Sequence, residues 1–388
     1  MRPTGSDVVV IGGGIVGTAA AAFLNEAGAR VTLIERDGLA SGASGANSGV
    51  VQHPFDPVLA GLYRETLGLY GELAAADVGF RLGDEPAGLL YVSADDAAVR
   101  EVDRSLAEAF PGLDRIVADG AALAAIEPAI APGIWGCRVG IGFPVAPAAS
   151  TYAYATIAER GGVRVRMGRS ASLLWRGDTV AGVNVDDVPT FADAVLVAAG
   201  PWSPGLIDPT GAWRPIAERW GVVVEAELPM GPTHVLEEAE IGASIGTRTD
   251  GPVAEGTDPA ETDRADFSLV PFGGVASVGS TFLAERPDPA TWTERILTRA
   301  SRFVPSVADA PIRGTRACAR PQSLDGRPLI GAVPGTRGLF VCAGHGAWGI
   351  STGPASARLI VDEILGRRPQ MPAELDPGRF GEVSPAGR

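Results

Sequence analysis

The stretch SDVVVIGGGIVGTAAAAFLNEAGARVTLIER, Ser6 to Arg36, decides how the rest of the chain is read. Val8 to Ile11 is an unbroken β-branched run, which predicts a strand buried on both faces. Gly12, Gly14 and Gly17 then form G-x-G-x-x-G, and an alanine-rich helix follows that Gly28 can close. The first glycine permits a tight turn, the second lets a pyrophosphate approach the backbone, and the third lets the helix pack on the sheet. The helix, with Ile15 and Val16 in its first turn, offers N–H groups and a positive dipole end to phosphates. Val31 to Ile34 predict a second strand, which ends at Glu35 and Arg36. Glu35 lies 18 residues past Gly17. There a carboxylate can accept hydrogen bonds from an adenosine ribose, and it would repel the 2′-phosphate of NADP. Strand, helix, strand and terminal acid agree on a dinucleotide site, but the motif alone does not separate FAD from NAD.

Residues 8–24 of the same run are uncharged and could pass for a signal peptide or membrane helix. Three adjacent glycines in the run argue against that, as does the lack of a basic region with a cleavage site. No other segment is long enough to span a bilayer.

Working outward, the chain has 388 residues, 46% of them hydrophobic and 20% charged, which is long enough for two domains. A net charge of −14 argues against a nucleic-acid surface or an anionic membrane. All 32 basic residues are arginine, so no Schiff-base lysine and no lysine general base can exist here. Cys137, Cys318 and Cys342 are odd in number and lack ligand spacing, and His53, His234 and His345 are scattered. Neither a disulfide framework nor a metal site is expected, and a reducing cytoplasm fits.

Two segments favour FAD. GLASGASGANSGVV, residues 38–51, inserts a loop of small residues directly after the ribose-binding acid. Ser41, Ser44, Gly45, Asn47, Ser48 and Gly49 give it backbone donors and little bulk, so it can lie against a large ligand. FADAVLVAAGPWSPGL, residues 191–206, reads as a buried strand that brings Ala199, Gly200 and Trp202 back to the first domain. It follows a two-strand stretch, residues 163–185, which contains Ala171 and turns at Arg176-Gly177-Asp178. Further on, GLFVCAGHGAWGISTGPASARLIVDEILG, residues 338–366, predicts a short buried strand and then a helix. Pro354 is expected near its first turn. Gly344, Gly346 and Gly349 permit close approach to a flat ring, with His345, Trp348, Ile350 and Ser351 among them. His345 reads as space-filling rather than catalytic. Trp348 either faces the site or packs in the core.

In CARPQSLDGRPLIG, residues 318–331, Pro321 forces Arg320 into extended backbone, and Asp325-Gly326 predicts a hairpin turn. A guanidinium so fixed can hold a carboxylate by two parallel hydrogen bonds. On pattern alone, a structural arginine paired with a surface acid is the stronger reading.

Taken together, VVVIGGGIVG with IER, ASGASGANSG, DAVLVAAGPWS, RPQSLDGRPLIG and the segment from residue 338 resemble the D-amino acid oxidase family of FAD-dependent oxidoreductases. That family includes glycine oxidase, sarcosine oxidase and D-amino acid dehydrogenases. Residues 80–313 match only in outline, apart from DAVLVAAGPWS. The resemblance implies FAD and an α/β architecture: a Rossmann-like FAD-binding domain interleaved with an antiparallel-sheet α+β substrate domain. The expected division is 1–80, 146–206 and 315–369 for FAD, 81–145 and 207–314 for substrate, and 370–388 as a tail. The acidic run from residue 240 to 266 reads as a long surface loop that could serve as a lid.

The resemblance also implies that Arg320 binds the substrate α-carboxylate, that Trp348 can join it, and that the helix after Gly349 faces the flavin N1–C2=O edge. Cys318 stands where sarcosine oxidases bond the flavin covalently, although noncovalent FAD is favoured. Ser277 falls about where those enzymes carry an oxygen-activating lysine, which weakens that reading. The expected reaction is hydride transfer from the Cα of an amino acid or secondary amine to flavin N5, giving an imine that hydrolyses. O2 or another acceptor would reoxidise the flavin. The alternatives are oxidation of a 2-hydroxy acid, or a flavoprotein subunit that needs a partner chain. Homo-oligomers are compatible with either.

Overall fold

The computed structural model describes residues 5–239, 265–367 and 371–383. The first strand, Asp7–Ile11, lies inside a six-stranded sheet. The order across it is Leu329–Ala332, Leu339–Ala343, Ala194–Val197, Asp7–Ile11, Arg30–Glu35, Arg164–Met167. Neighbours are parallel except Leu329–Ala332, which runs antiparallel at one edge. Val8 and Val10 pack into one core cluster, and Val9 and Ile11 into another. Successive strand residues face opposite sides, so a sheet covered on both faces needs an unbroken apolar run.

On one face lie the helices Ile15–Glu26, Pro57–Ala75, Ala149–Arg160 and Gly349–Ile364. On the other lies a three-stranded antiparallel sheet of Ala171–Arg176, Thr179–Val185 and Val188–Phe191. The second domain is built on an eight-stranded sheet. Its order is Ile312–Ser323, Ile216–Glu227, Val275–Gly279, Ser268–Phe272, Val235–Glu238, Leu89–Ser93, Trp135–Val139, Arg115–Asp119. All its neighbours are antiparallel except Val235–Glu238 with Leu89–Ser93. The architecture is therefore the expected Rossmann-like layer interleaved with an antiparallel-sheet layer. Among the described residues no helix is long and apolar enough to cross a membrane.

The structure corrects several local expectations. The long strand Ile312–Ser323 pairs with Ile216–Glu227 in the second sheet, so residues 315–323 do not sit in the FAD-domain sheet. Asp325-Gly326 does turn the chain, with Gly326 at φ +77° and its N–H on Ser323 O at 3.2 Å. It forms no hairpin, however, because the strand after it joins the other sheet beside Leu339–Ala343. The stretch 163–185 holds three strands in two sheets, since Arg164–Met167 pairs with Arg30–Glu35. The loop expected over residues 240–266 lies outside the described residues for 240–264.

Pro354 sits inside its helix rather than near the first turn. A proline there has no N–H for the carbonyl four residues back, that of Ile350. Tyr70 Oη donates to that carbonyl at 2.8 Å, and the next N–H, of Ala355, donates to Thr66 Oγ1 at 3.2 Å. Both partners come from the helix Pro57–Ala75, so the interruption becomes a docking point.

Candidate active site

The glycine motif does what its spacing demands. Gly12 has φ +116°, and a Cβ there would lie 2.3 Å from Ala198 O. A Cβ at Gly17 would lie 1.9 Å from Gly12 O, so only glycine allows this helix to approach the strand so closely. Gly14 is the N-cap of the helix and offers no side-chain acceptor. The Ile15 N–H donates to Ser44 Oγ at 3.0 Å, which pins the serine loop to the helix start. Glu35 Oε2 accepts the Gly13 N–H at 2.6 Å and Oε1 accepts the Asp37 N–H at 2.8 Å, so the acid is fixed at the strand end.

A cavity of about 690 Å³ runs over this motif. It brings together Gly12, Gly14, Ile15, Val16, Glu35, Arg36, Ser41, Ser44 and Asn47 from the front of the chain. From later segments it gathers Ala171, Ala199, Gly200, Trp202, His345, Gly346, Gly349 and Ile350, together with Cys318 and Arg320. At the Glu35 end, the Arg36 guanidinium stacks 5.0 Å from the Trp202 ring. At the other end His345 is buried and its Nε2 has no hydrogen-bond partner. Burial pushes its imidazole down to about 4, so it is neutral at ordinary pH. Burial also raises the Cys318 thiol, whose Sγ donates to Ala46 O at 3.8 Å, and the thiolate needed for a covalent bond is disfavoured.

Seven expected residues are absent from this lining, and three of them, Gly17, Gly45 and Gly344, line neither cavity. Gly17 packs the helix on the strand, a Cβ at Gly45 would meet Ala40 O at 2.2 Å, and Gly344 faces Leu329, Ser323 and Ile216. Ser48, Gly49, Trp348 and Ser351 line a second, smaller cavity of about 110 Å³. Trp348 thus resolves both ways, since it also packs against the core under the helices.

Arg320 belongs to both cavities. Its Nη1 donates to Thr281 O at 2.6 Å and its Nη2 to Ser280 Oγ at 2.8 Å. Its Cζ lies 4.4 Å from the Phe282 ring. It also lies flat on Gly221 of the adjacent strand, where a Cβ would come within 2.4 Å of Cζ. Neither of these hydrogen bonds goes to a carboxylate, although the charge of Asp266 acts on the guanidinium and favours its protonated form. Burial lowers its pKa, yet a guanidinium remains charged in proteins. Arg327, by contrast, is tied to Asp56 at 2.8 Å and serves the fold.

Sequence reasoning missed several lining residues. Arg169 and Ser170 flank the expected Ala171, and Gln52, Glu237, Ser268, Ser280 and Phe282 complete the small cavity. For Glu237 a signal existed: two adjacent acids on one strand must point to opposite faces, and one of them therefore inward. Ser277 lines neither cavity; its Oγ accepts from Arg316 Nη2 at 3.0 Å. Arg316 also donates to Asn47 O at 2.9 Å and pairs with Glu225, joining the serine loop to the second sheet.

Fold and groove together define the class: a Rossmann-like protein with a glycine-lined groove suited to a dinucleotide. The chain belongs to the DAO family, FAD dependent oxidoreductase, whose model matches residues 7–363. It is thus an FAD-dependent oxidoreductase. The glycine cradle, the pinned serine loop and the groove volume fit that cofactor. The chain is 28% identical to a glycine oxidase of Pseudomonas aeruginosa, over 98% of this chain and 99% of that one. In structure it resembles glycine oxidase from Bacillus cereus, with TM-score 0.79, 24% identity, and 94% and 96% of the two chains covered. It also resembles L-proline dehydrogenase from P. horikoshii, with TM-score 0.80, 20% identity, and 98% and 100% covered.

Proposed function

We propose that this enzyme oxidises an amino acid or secondary amine of the glycine or D-amino acid type. The observation that carries the reading is Arg320: a guanidinium on a rigid strand, at the junction of the groove and the small cavity, bonded to a carbonyl and a hydroxyl rather than to a carboxylate. Two of its N–H groups are anchored by Thr281 and Ser280, which fixes the plane of the fork and leaves other N–H groups for a substrate carboxylate. Phe282 covers one side of that charge and strengthens its hold on an anion by excluding water. The glycine oxidase and the amino acid dehydrogenase named above act on small amino acids, and a cavity of about 110 Å³ beside the clamp suits a substrate of that size.

The backbone around Gly12, Gly14 and Val16 would hold the pyrophosphate, Glu35 the ribose, and the 344–351 segment the isoalloxazine end. The chemistry FAD supplies when bound is acceptance of a hydride from substrate Cα, which leaves an imine for water to hydrolyse. The protein's part is orientation and charge placement, with a carboxylate clamp at one end and a neutral, buried His345 at the rim. Noncovalent FAD agrees with the protonated Cys318. A panel of glycine, sarcosine, D-amino acids and proline, scored by anaerobic bleaching of the flavin, tests the reading. Reduction by at least one amino acid is expected, and Arg320→Ala should lower kcat/KM for it roughly 10²–10³-fold. An unchanged KM for every carboxylate substrate in Arg320→Ala would remove the assignment.

A further inference from the structure

Glu237 stands in the strand Val235–Glu238, level with Tyr91 on one neighbour and Ser268 on the other. Its neighbour Glu238 points to the opposite face and is paired with Arg299. Glu237 has no cation bonded to it among the described residues, and its Oε2 is buried without a hydrogen-bond partner. Its side chain lines the small cavity together with Arg320, Gln52, Ser280 and Trp348. The hydroxyl of Tyr91, beside it, is likewise buried and unpartnered. Buried polar atoms left unmatched are costly, and the one at the cavity wall, Glu237 Oε2, marks a place where a ligand completes the bonding.

The cavity therefore has a cationic end at Arg320 and an acidic end at Glu237. A molecule carrying an ammonium next to a carboxylate matches both ends, and a simple carboxylate matches only one. Resting on the reading above, we infer that Glu237 is the amine-recognition residue of this site, accepting a hydrogen bond from the substrate ammonium and then its proton. In that transfer an N–H bond of the substrate breaks and an O–H bond forms at the Glu237 carboxylate. The electron pair stays on nitrogen as the lone pair that oxidation at Cα requires. The proton returns to water when the product leaves.

Burial raises Glu237 to about 7, and Gln52 works against that rise. A carboxylate so poised can take a proton near neutral pH. The charged or titratable groups around it are few. Arg320 comes from the strand Ile312–Ser323, and Tyr91, kept protonated by burial, from Leu89–Ser93. His53, kept neutral by burial, follows Gln52 in the chain. Ser268, Trp348 just before the helix Gly349–Ile364, and Ser351 within it do not titrate.

The test uses the holoenzyme of the wild type and of Glu237→Gln, with acetate as a carboxylate lacking an amine. Calorimetric titration should give acetate affinity in Glu237→Gln equal to or tighter than wild type. For an amino acid that reduces the flavin, kcat/KM should fall about 10- to 100-fold. The wild-type kcat/KM should also rise with pH through a limb near 7, and this limb should vanish in Glu237→Gln. Wild type alone gives a further check: acetate should bind more weakly as pH rises through 7, because Glu237 then ionises beside it. If no amine of the panel reduces the wild-type flavin, the functional reading falls and this inference with it. If amines reduce it but Glu237→Gln keeps the limb, or loses acetate and amino acid affinity alike, the inference alone is overturned.

Discussion

Along the groove, the atoms that shape the cavity are largely backbone: Gly12 under Ala198 O, Gly17 under Gly12 O, and the serine loop pinned at Ile15 N–H. In the small cavity beside it, side chains do the shaping: Arg320, Glu237, Phe282, Gln52 and Trp348, drawn from segments far apart in sequence. The first region suits a cofactor whose shape never changes, because backbone cannot be retuned one residue at a time. The second suits a substrate, because each side chain can be altered without disturbing the sheet that carries it. The contrast makes an ordered set of predictions.

The largest effect belongs to the backbone-built region. Gly17→Ala puts a Cβ 1.9 Å from Gly12 O, which neither strand nor helix can accommodate in place. The purified variant should carry little or no flavin, read as the ratio of flavin to protein absorbance. Full retention would break the claim that glycines define the groove. Gly221→Ala acts in the other region. Its Cβ meets the end of the Arg320 side chain, not backbone, so the fold should survive while the clamp is displaced. KM for a carboxylate substrate should rise about tenfold with flavin content unchanged.

Tyr70→Phe removes the donor to Ile350 O and leaves a buried carbonyl unpaired. Unfolding in urea should show a loss of about 1–3 kcal/mol, with kinetics close to wild type. The smallest effect is at His345, a side chain in a backbone-made groove. Its folded pKa of about 4 lies below the ordinary imidazole value of 6.5, so the unfolded chain takes up the proton first. Stability therefore falls as pH drops from 6.5 toward 4, and the melting temperature of His345→Gln should fall less steeply across that window. Parallel curves for the two proteins would show that His345 is not held neutral.

The same contrast explains what could be read from the amino-acid sequence. The groove was legible because φ +116° at Gly12 and a 1.9 Å approach at Gly17 can be met by one residue type only. The Arg320 frame was legible for a similar reason, since proline restricts the residue before it. The destination of the Asp325-Gly326 turn was not, because a turn fixes local direction while sheet membership depends on partners elsewhere. Pro354 was placed too early because its carbonyl partner, Tyr70, lies 284 positions upstream of it and leaves no local trace. Glu237 offered only the weak signal of two adjacent acids on one strand, because its cavity is assembled from segments far apart in sequence.

The interleaving of the six-stranded sheet also sets a schedule for synthesis. The apolar strand Asp7–Ile11 and helix Ile15–Glu26 leave the ribosome more than 300 residues before the helix Gly349–Ile364 that packs on them. At ordinary translation rates the wait is on the order of tens of seconds. Through that interval these elements lack the part of their native cover that the helix Gly349–Ile364 supplies. A nascent chain stalled before residue 339 should thus be cut readily by protease within residues 7–35, and one released at full length should not. The arrangement that brings distant segments of the chain to one groove commits the newborn protein to a period of dependence on its surroundings.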